Sequence, residues 1–124
     1  MFKSGQHYSR TEIHKAVGGS TEKYLPHVRR SVVCGCFKPN LNPSAPAEIL
    51  PGNSADIMKW AWVFAKQRDP IPIFLKRDTN RWEYVGHWRV CASPITDPQA
   101  IAEADNRADR SDISMILKLE PIAV

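Results

Sequence analysis

The chain has 124 residues, of which 43% are hydrophobic and 24% charged, so it can bury a core without disulfides and is not broadly disordered. Seventeen lysines and arginines against thirteen acidic residues give a net charge of +4, which tolerates a polyanionic partner without requiring one. The three cysteines cannot all pair, and there is no apolar leader and no run of about 18 apolar residues. We therefore expect a reducing compartment, either cytoplasmic or nuclear, and no membrane segment.

The first half of the chain predicts a helix, a strand and a long loop. Ser9 and Glu12 fit a capping box for a helix that the glycine pair 18–19 ends. Residues 31–37 predict a buried strand. Residues 38–54 contain four of the ten prolines, which is typical of an irregular loop with a functional or covering role.

The second half alternates helical and strand patterns. Its predicted elements are a helix from Asn53 or Ser54 to about Gln67, a β-hairpin from residues 71–76 and 81–90, a helix from Asp97-Pro98 to about Asp109, and a strand over residues 113–119. With no repeat or linker in the chain, we expect one domain over residues 1–124, of the α+β class, with a small, bent, mostly antiparallel β-barrel and flanking helices. Val33, Trp60, Phe64 and Phe74 are expected in its core.

The predicted strand 81–90 carries the strongest pattern, because side chains alternate between the faces of a strand. Alternation places Trp82, Tyr84, Gly86, Trp88 and Val90 on one face. Gly86 leaves a gap in this aromatic row, and a flat ring could enter it, with base stacking contributing about 1–3 kcal/mol per base. The same stripe is also typical of core packing against the helix that carries Trp60 and Trp62. Both interpretations stay open.

Arginines accompany this row in the sequence. If they converge, they form a phosphate-binding rim, since arginine grips phosphate through two hydrogen bonds. The predicted rim comprises Arg10, Arg29, Arg30 and Arg81. The alternative is an ordinary solvated surface, where most charges lie.

The cysteines predict core packing better than a metal site. Metal sites usually need four ligands, and Cys34 and Cys36, with Cys91 far along the chain, form no second spaced pair. We expect all three thiols to be reduced, with no metal and no cofactor.

Enzyme motifs are missing from the sequence: there is no P-loop, no Gly-x-Ser-x-Gly elbow and no His-Glu-x-x-His. We therefore predict no catalytic residues. Acid–base pairs built from Glu12 with His14, or from Glu83 with His87, remain open as an alternative.

Two stretches resemble known families. Residues 84–90, Tyr-Val-Gly-His-Trp-Arg-Val, are similar to the Tyr-Asp-Gly-x-Tyr-x-Val stretch of SRA (YDG) domains, with Val85 in the place of the aspartate. Those domains belong to the PUA-like superfamily, with EVE, YTH and ASCH domains. The resemblance implies a bent β-barrel that binds nucleic acid, in several members by holding a modified base in an aromatic pocket. Residues 5–13 and 24–26 also resemble an uncharacterised domain family of bacteria and fungi.

The leading hypothesis is a nucleic-acid-binding domain that reads a modified base by aromatic stacking and holds phosphates with an arginine rim. Its expected site residues are Arg10, Arg29, Arg30, Arg81, Tyr84, Gly86 and Trp88. One alternative is an enzyme that acts on nucleotides or nucleic acid through a His/Glu pair. Another is a protein-interaction module that uses loop 38–54, which predicts an apolar patch there.

Overall fold

The computed structural model describes residues 1–123, and within them it contains three helices and eight short strands. The helices are α1 (Arg10–Val17), α2 (Ala55–Lys66) and α3 (Pro98–Ala108). The strands are β1 (His7–Tyr8), β2 (His27–Val28), β3 (Ser31–Val32), β4 (Gly35–Phe37), β5 (Glu48–Ile49), β6 (Ile71–Asp78), β7 (Arg81–Val90) and β8 (Leu117–Ile122).

The predicted helix starts are confirmed, since each helix begins behind a side chain that accepts a backbone N–H. Ser9 caps α1 in a reciprocal capping box with Glu12, Ser54 caps α2, and Asp97 caps α3 with proline following it. Such caps satisfy amide groups that have no partner within the first helical turn. Local sequence chemistry therefore fixes where the helices begin.

The main sheet has the order β4-β6-β7-β8-β5, with β1 also paired to β7. Only the β4–β6 pair is parallel in it. The sheet is strongly curled into a half-barrel, so the predicted α+β fold with a small bent barrel is confirmed. The two-residue strands β2 and β3 form a separate hairpin.

A bulge interrupts β7 at Val85 and Gly86. The register against β6 shifts by one residue between the pairs Phe74–Tyr84 and Pro72–His87, and Gly86 has a φ of 109°. One extra residue in a strand reverses the side-chain alternation beyond it. The expectation of one continuous aromatic face is therefore wrong.

The bulge separates the aromatic row into two packing environments. Trp82 and Tyr84 join a core cluster with Phe74, whereas Trp88 and Val90 pack against a different cluster. The edge of β7 also changes partner across the bulge, from β1 at residues 82–83 to β8 at residues 87–90. β7 thus contributes side chains to two different parts of the barrel core.

Several strand boundaries differ from those expected. The predicted strand 31–37 is two strands, β3 and β4, and the final strand begins at Leu117 instead of residue 113. Loop 38–54 contains β5, and the two-residue strands β1 and β2 were not predicted. Strands of two residues are too short to show a periodicity in the sequence, and β1 also depends on pairing with the distant strand β7.

Side chains pack on both faces of the curled sheet. On the α2 side, Phe64 packs with Phe37 and Ile73, and on the α1 side Ile13 packs with Phe74. A third cluster lies between α3 and the chain around Leu50 and Ile113. Burial of three predicted core residues, Trp60, Phe64 and Phe74, is confirmed, but Val33 is only half-buried. Its neighbour Val32 is buried instead, because β3 directs that side chain towards the core.

Candidate functional site

A cleft of about 600 Å³ opens at the end of the β6–β7 hairpin that is remote from the bulge. Its walls come from the start of α1, from residues 21–25, from both ends of the segment 38–52 within loop 38–54, and from the first turns of α2. The side chains that line the cleft include Arg10, Glu22, Lys23, Tyr24, Leu25, Cys36, Phe37, Lys38, Leu41, Asn42, Leu50, Asp56, Trp60, Lys76, Asn80, Trp82, Arg110 and Asp112.

Apolar and aromatic side chains form the inner wall of the cleft. Leu25, Phe37 and Leu50 are almost completely buried, and the indoles of Trp60 and Trp82 are 8% and 5% exposed. The Trp60 ring stacks on the His27 ring with centroids 3.4 Å apart, so one of its faces is already covered. The inner wall therefore suits an apolar or aromatic ligand group.

Arg10 lies at the junction of α1 and the cleft. It is 9% exposed, and its guanidinium lies 5.1 Å from the centroid of the Trp82 ring. Its Nη2 donates hydrogen bonds to the backbone oxygens of Ser20 (3.0 Å) and Lys23 (2.8 Å). Its Nε is buried without a partner among residues 1–123. Arg10 therefore places at the cleft a positive charge that has no ion pair in the described chain, and this charge favours an anion there.

Two lysines stand side by side at the mouth of the cleft. β4 and β6 pair in parallel with Phe37 opposite Leu75, so Lys38 and Lys76 occupy the next adjacent positions on the two chain segments. Neither lysine forms an ion pair within residues 1–123. Like charges on neighbouring strands repel each other, and a bound anion would relieve that repulsion.

The other charges of the cleft are largely paired. Lys23 contacts Asp56 at 3.1 Å and Arg110 contacts Asp112 at 2.9 Å. Hydrogen bonds from these cations hold the pKa values of both carboxyl groups below their usual range. Three cations, on Arg10, Lys38 and Lys76, thus remain without an ion pair in the described chain, against the carboxylate of Glu22.

Hydrogen bonds fix the outer wall of the cleft. Arg110 donates from Nη1 to the backbone oxygens of Leu41 (2.9 Å) and Leu50 (2.7 Å). Asn42 accepts from the Leu50 amide at 2.8 Å. Opposite, the Tyr24 hydroxyl donates to the Ile57 oxygen, and burial raises the pKa of this phenol, which keeps it protonated. These polar contacts fix the wall without Lys38 or Lys76, whereas Arg10 also holds the backbone of Lys23.

A shallower groove of about 420 Å³ adjoins the cleft. It runs between Lys38–Asn40 and Lys76–Thr79, so the same two lysines border both concavities. Arg77 adds a third cation, whose Nε donates to Glu83 at 2.7 Å. The Asp78 carboxylate accepts the backbone amide of Thr79 at 2.7 Å.

The four arginines of the expected rim do not converge on one site. Of these four, only Arg10 lines the cleft. Arg29 and Arg30 are exposed at the β2–β3 turn, where Arg29 has a φ of 56°, and Arg81 is exposed at the start of β7.

The expected aromatic site residues lie along β7, away from the cleft. Tyr84 is 5% exposed among Phe2 and Phe74, and its hydroxyl bonds with Nδ1 of His87. Trp88 is half-buried, and its Nε1 donates to the Val85 oxygen at 2.9 Å. A Cβ built on Gly86 would stand 3.3 Å from that Nε1 atom, so the gap at Gly86 is narrow.

Sequence reasoning missed the lysine pair. Lys38 belongs to a loop and Lys76 to a hairpin strand, and only their parallel register brings them together. The sequence does carry a signal, because each lysine directly follows a run of buried residues. This run is 34–37 for Lys38 and 71–75 for Lys76. Trp82, named with the aromatic row, does line the cleft.

The histidines lie outside the cleft, and among residues 1–123 none hydrogen-bonds a carboxylate. His14 bonds with the Gly19 oxygen and His87 with the Tyr84 hydroxyl. The geometry that would favour a His/Glu acid–base pair is thus not present in the described residues.

The cysteines are unpaired, with Cys34 and Cys36 buried in one core cluster and Cys91 exposed. The hydrogen bond with Cys36, together with burial, raises the pKa of the Cys34 thiol. Within residues 1–123 no three histidine, cysteine or acidic side chains are grouped as metal ligands.

Comparison with known proteins identifies the family. A family model described as Domain of unknown function (DUF6697) matches residues 7–117. The chain belongs to this family. No curated protein and no solved structure matches it. The match contains every lining residue, from Arg10 to Asp112, so the cleft lies entirely within the part of the chain that the family model covers.

The expected similarity to an uncharacterised domain family is confirmed at the level of this DUF6697 match. None of the helices in residues 1–123 is both long enough and apolar enough to span a bilayer. Loop 38–54 is the expected contact surface of a protein-interaction module, and its residues 48–52 are buried. Among the described residues of this loop, Leu41 is the one large hydrophobic residue that is exposed.

Proposed function

We propose that this DUF6697 chain is a nucleic-acid-binding domain whose cleft accepts one nucleotide. The observation that carries the proposal is the convergence of Arg10, Lys38 and Lys76, all without ion pairs in the described chain, around an apolar and aromatic cleft of about 600 Å³. A nucleotide combines the two features that such a cleft favours, an aromatic ring and a phosphate.

The polar groups of the cleft suit a base edge. The Glu22 carboxylate can accept a hydrogen bond from an exocyclic amino group, and Asn80, whose Oδ1 accepts from the Arg10 amide at 2.9 Å, keeps its side-chain NH2 as a donor. Trp60 and Trp82 would contact the ring mainly through their exposed edges, because His27 and Arg10 cover other parts of the two indoles. Such a pocket can distinguish a modified base by shape and by hydrogen bonding.

The fold is compatible with this role. A small curled barrel with flanking helices is the architecture that the resemblance of residues 84–90 to SRA domains implies, and PUA-like membership is part of the proposal. In this proposal Arg10 contacts the ligand, while Tyr84, Gly86 and Trp88 shape the barrel that carries the cleft. Arg29, Arg30 and Arg81 lie outside the cleft and would contact more distal phosphates.

A binding panel tests the proposal. DNA and RNA oligonucleotides, plain and carrying modified bases, are titrated at two salt concentrations against the chain and against the variant Lys38→Gln. We expect binding to weaken with salt and the variant to reduce the slope of log affinity against log salt by about 0.7 for a single strand. Lys66→Gln, an exposed lysine at the end of α2 away from the cleft, is the matched control.

The panel also discriminates the alternatives. Equal affinities of the chain and the Lys38→Gln variant at both salt concentrations would remove the cleft from the binding surface. Weaker binding in an Arg29→Ala/Arg30→Ala variant, with Lys38→Gln unchanged, would move the site to the β2–β3 turn. No binding to any oligonucleotide would refute the nucleic-acid hypothesis.

A further inference from the structure

The lysine pair concentrates positive charge in the cleft without a carboxylate beside it in the described chain, although the Lys76 ammonium lies 5.9 Å from the centroid of the Trp82 ring. Lys38 and Lys76 follow Phe37 and Leu75, the last pair of the parallel ladder, so their backbones are neighbours just beyond it. Like charges in adjacent cross-strand positions destabilise a sheet. Other cations of the cleft wall have carboxylates beside them, Asp56 for Lys23 and Asp112 for Arg110.

The location of the pair adds a second observation. Both lysines line the cleft and both line the shallower hairpin groove, so they form the boundary between the two concavities. An anion seated between the two ammonium groups would therefore face the cleft on one side and the groove on the other. A ligand that ends at that anion would fill the cleft only.

The groove beyond the pair has groups that suit a second anion. Arg77 uses its Nε for Glu83, which leaves the two Nη groups without a hydrogen bond in the described chain. Thr79 contributes an exposed hydroxyl, and the Asp78 carboxylate is engaged by the Thr79 amide. Counting Lys38, Lys76 and Arg77 against Asp78, the groove keeps an excess of positive charge.

We propose that the ligand of the cleft is a polynucleotide strand, with one phosphate bridging Lys38 and Lys76 and the next phosphate in the groove beside Arg77 and Thr79. This inference rests on the proposed function and adds to it the path of the strand, which leaves the cleft between Lys38 and Lys76 and continues along the groove. Consecutive phosphates along a strand would follow the line of cations from the cleft mouth to the hairpin turn.

The test compares ligand lengths on the intact chain. The four deoxynucleoside 5′-monophosphates and the corresponding 5′-phosphorylated homotrinucleotides are titrated by calorimetry at two salt concentrations, and the ribonucleotide series is treated in the same way. For the base that binds best, we expect the trinucleotide to bind more tightly than the monophosphate. Its salt slope should be steeper by about 0.7 for each further phosphate that is contacted.

A charge placed in the groove separates the two phosphate positions. Thr79→Glu puts a carboxylate where the second phosphate would lie, and it should lower trinucleotide affinity roughly tenfold while changing monophosphate affinity by less than about twofold. Ser44→Glu is the matched control, because Ser44 is exposed in loop 38–54 and lines neither concavity. Thermal midpoints of both variants establish that they fold.

The outcomes are distinguishable. The proposed strand is supported if trinucleotides bind more tightly than monophosphates and if Thr79→Glu removes that difference. Monophosphates and trinucleotides with the same affinity and the same salt slope overturn it and leave nucleotide binding in the cleft intact. Failure of every nucleotide of either length to bind overturns the proposed function itself.

Discussion

At one end of β7, Trp82 lies under the Arg10 guanidinium and opposite Lys76, beside a cleft. Towards the other end, Tyr84 packs among aromatic rings, and beyond Gly86 the indole of Trp88 donates to a backbone oxygen. Both regions belong to one aromatic-rich strand, yet only the first combines aromatic residues with unpaired charge and open volume. Aromatic residues in a strand indicate a binding site only where cations and space accompany them.

The bulge produces this difference. With a regular strand, Trp82, Tyr84 and Trp88 would share a face, but the extra residue at Val85–Gly86 sends Trp88 to the α2 side of the sheet. The bulge also lets β7 exchange its edge partner from β1 to β8. We therefore interpret the Gly86 region as the part that shapes the barrel and the Trp82 region as the part that binds. The predictions below test that division.

The largest expected effect is on stability at the Gly86 end. Tyr84→Ala removes a buried ring that contacts Phe2 and Phe74, and truncating such a residue costs about 3–5 kcal/mol. Chemical denaturation should show this loss. Oligonucleotide affinity of the folded variant, measured at low temperature, should be unchanged. A stable Tyr84→Ala protein with weakened binding would instead make Tyr84 a base-stacking residue.

A smaller loss of stability is expected from Gly86→Ala. The φ of 109° is unfavourable for any residue with a Cβ, and the new methyl group would stand 3.3 Å from Nε1 of Trp88. Such strain typically costs about 1–3 kcal/mol. Thermal and denaturant midpoints measure it, with Ala47→Gly in an exposed part of loop 38–54 as a mild control. Unchanged stability would show that the bulge does not depend on glycine.

Local features of the sequence predicted much of the fold. The caps at Ser9, Ser54 and Asp97 place the helix starts, because each is set by a side chain and an amide only two or three residues apart. The hairpin turn at Asp78–Asn80 was also predictable from local chemistry, because Asp and Asn favour turns. Asn80 adopts the left-handed conformation that Asn tolerates, with a φ of 50°. Its position needed no knowledge of the tertiary fold.

Features that depend on distant pairing were not predictable in this way. The bulge at Gly86 lies where the edge partner of β7 changes from β1 to β8, and the sequence of β7 alone reads as regular alternation. The adjacency of Lys38 and Lys76 depends on the parallel register of β4 and β6, two segments almost forty residues apart. Of the expected site, Arg10 reaches the cleft because α1 begins there.

The next prediction concerns binding at the cleft end. Lys76→Gln removes one unpaired cation from the boundary of cleft and groove, and it should weaken oligonucleotide binding by about 1 kcal/mol while leaving stability unchanged or slightly higher. Lys66→Gln is the matched control, since Lys66 is an exposed lysine at the end of α2 that lines neither concavity. Equal losses from both variants would indicate a diffuse electrostatic effect instead of a site.

The smallest expected effect is a pH dependence confined to the Gly86 end. Burial, together with the charge of the N-terminal ammonium, lowers the pKa of His87 below its ordinary value of 6.5, and its neutral Nδ1 can accept the Tyr84 hydroxyl proton. The unfolded chain therefore binds a proton at His87 more readily than the folded chain. The resulting stability is present above about pH 6.5 and declines as the pH falls through the folded pKa.

Denaturation between about pH 7.5 and 5.5 should show this decline, and His87→Gln should flatten it. Acetylating the N-terminal amine, which removes the nearby positive charge, should flatten it in part. Oligonucleotide affinity of the folded protein should lack this dependence on His87, because no histidine of the described chain lines the cleft. If His87→Gln left the pH slope of stability intact but changed the pH dependence of binding, His87 would act on the ligand, and the division of β7 into a shaping end and a binding end would fail.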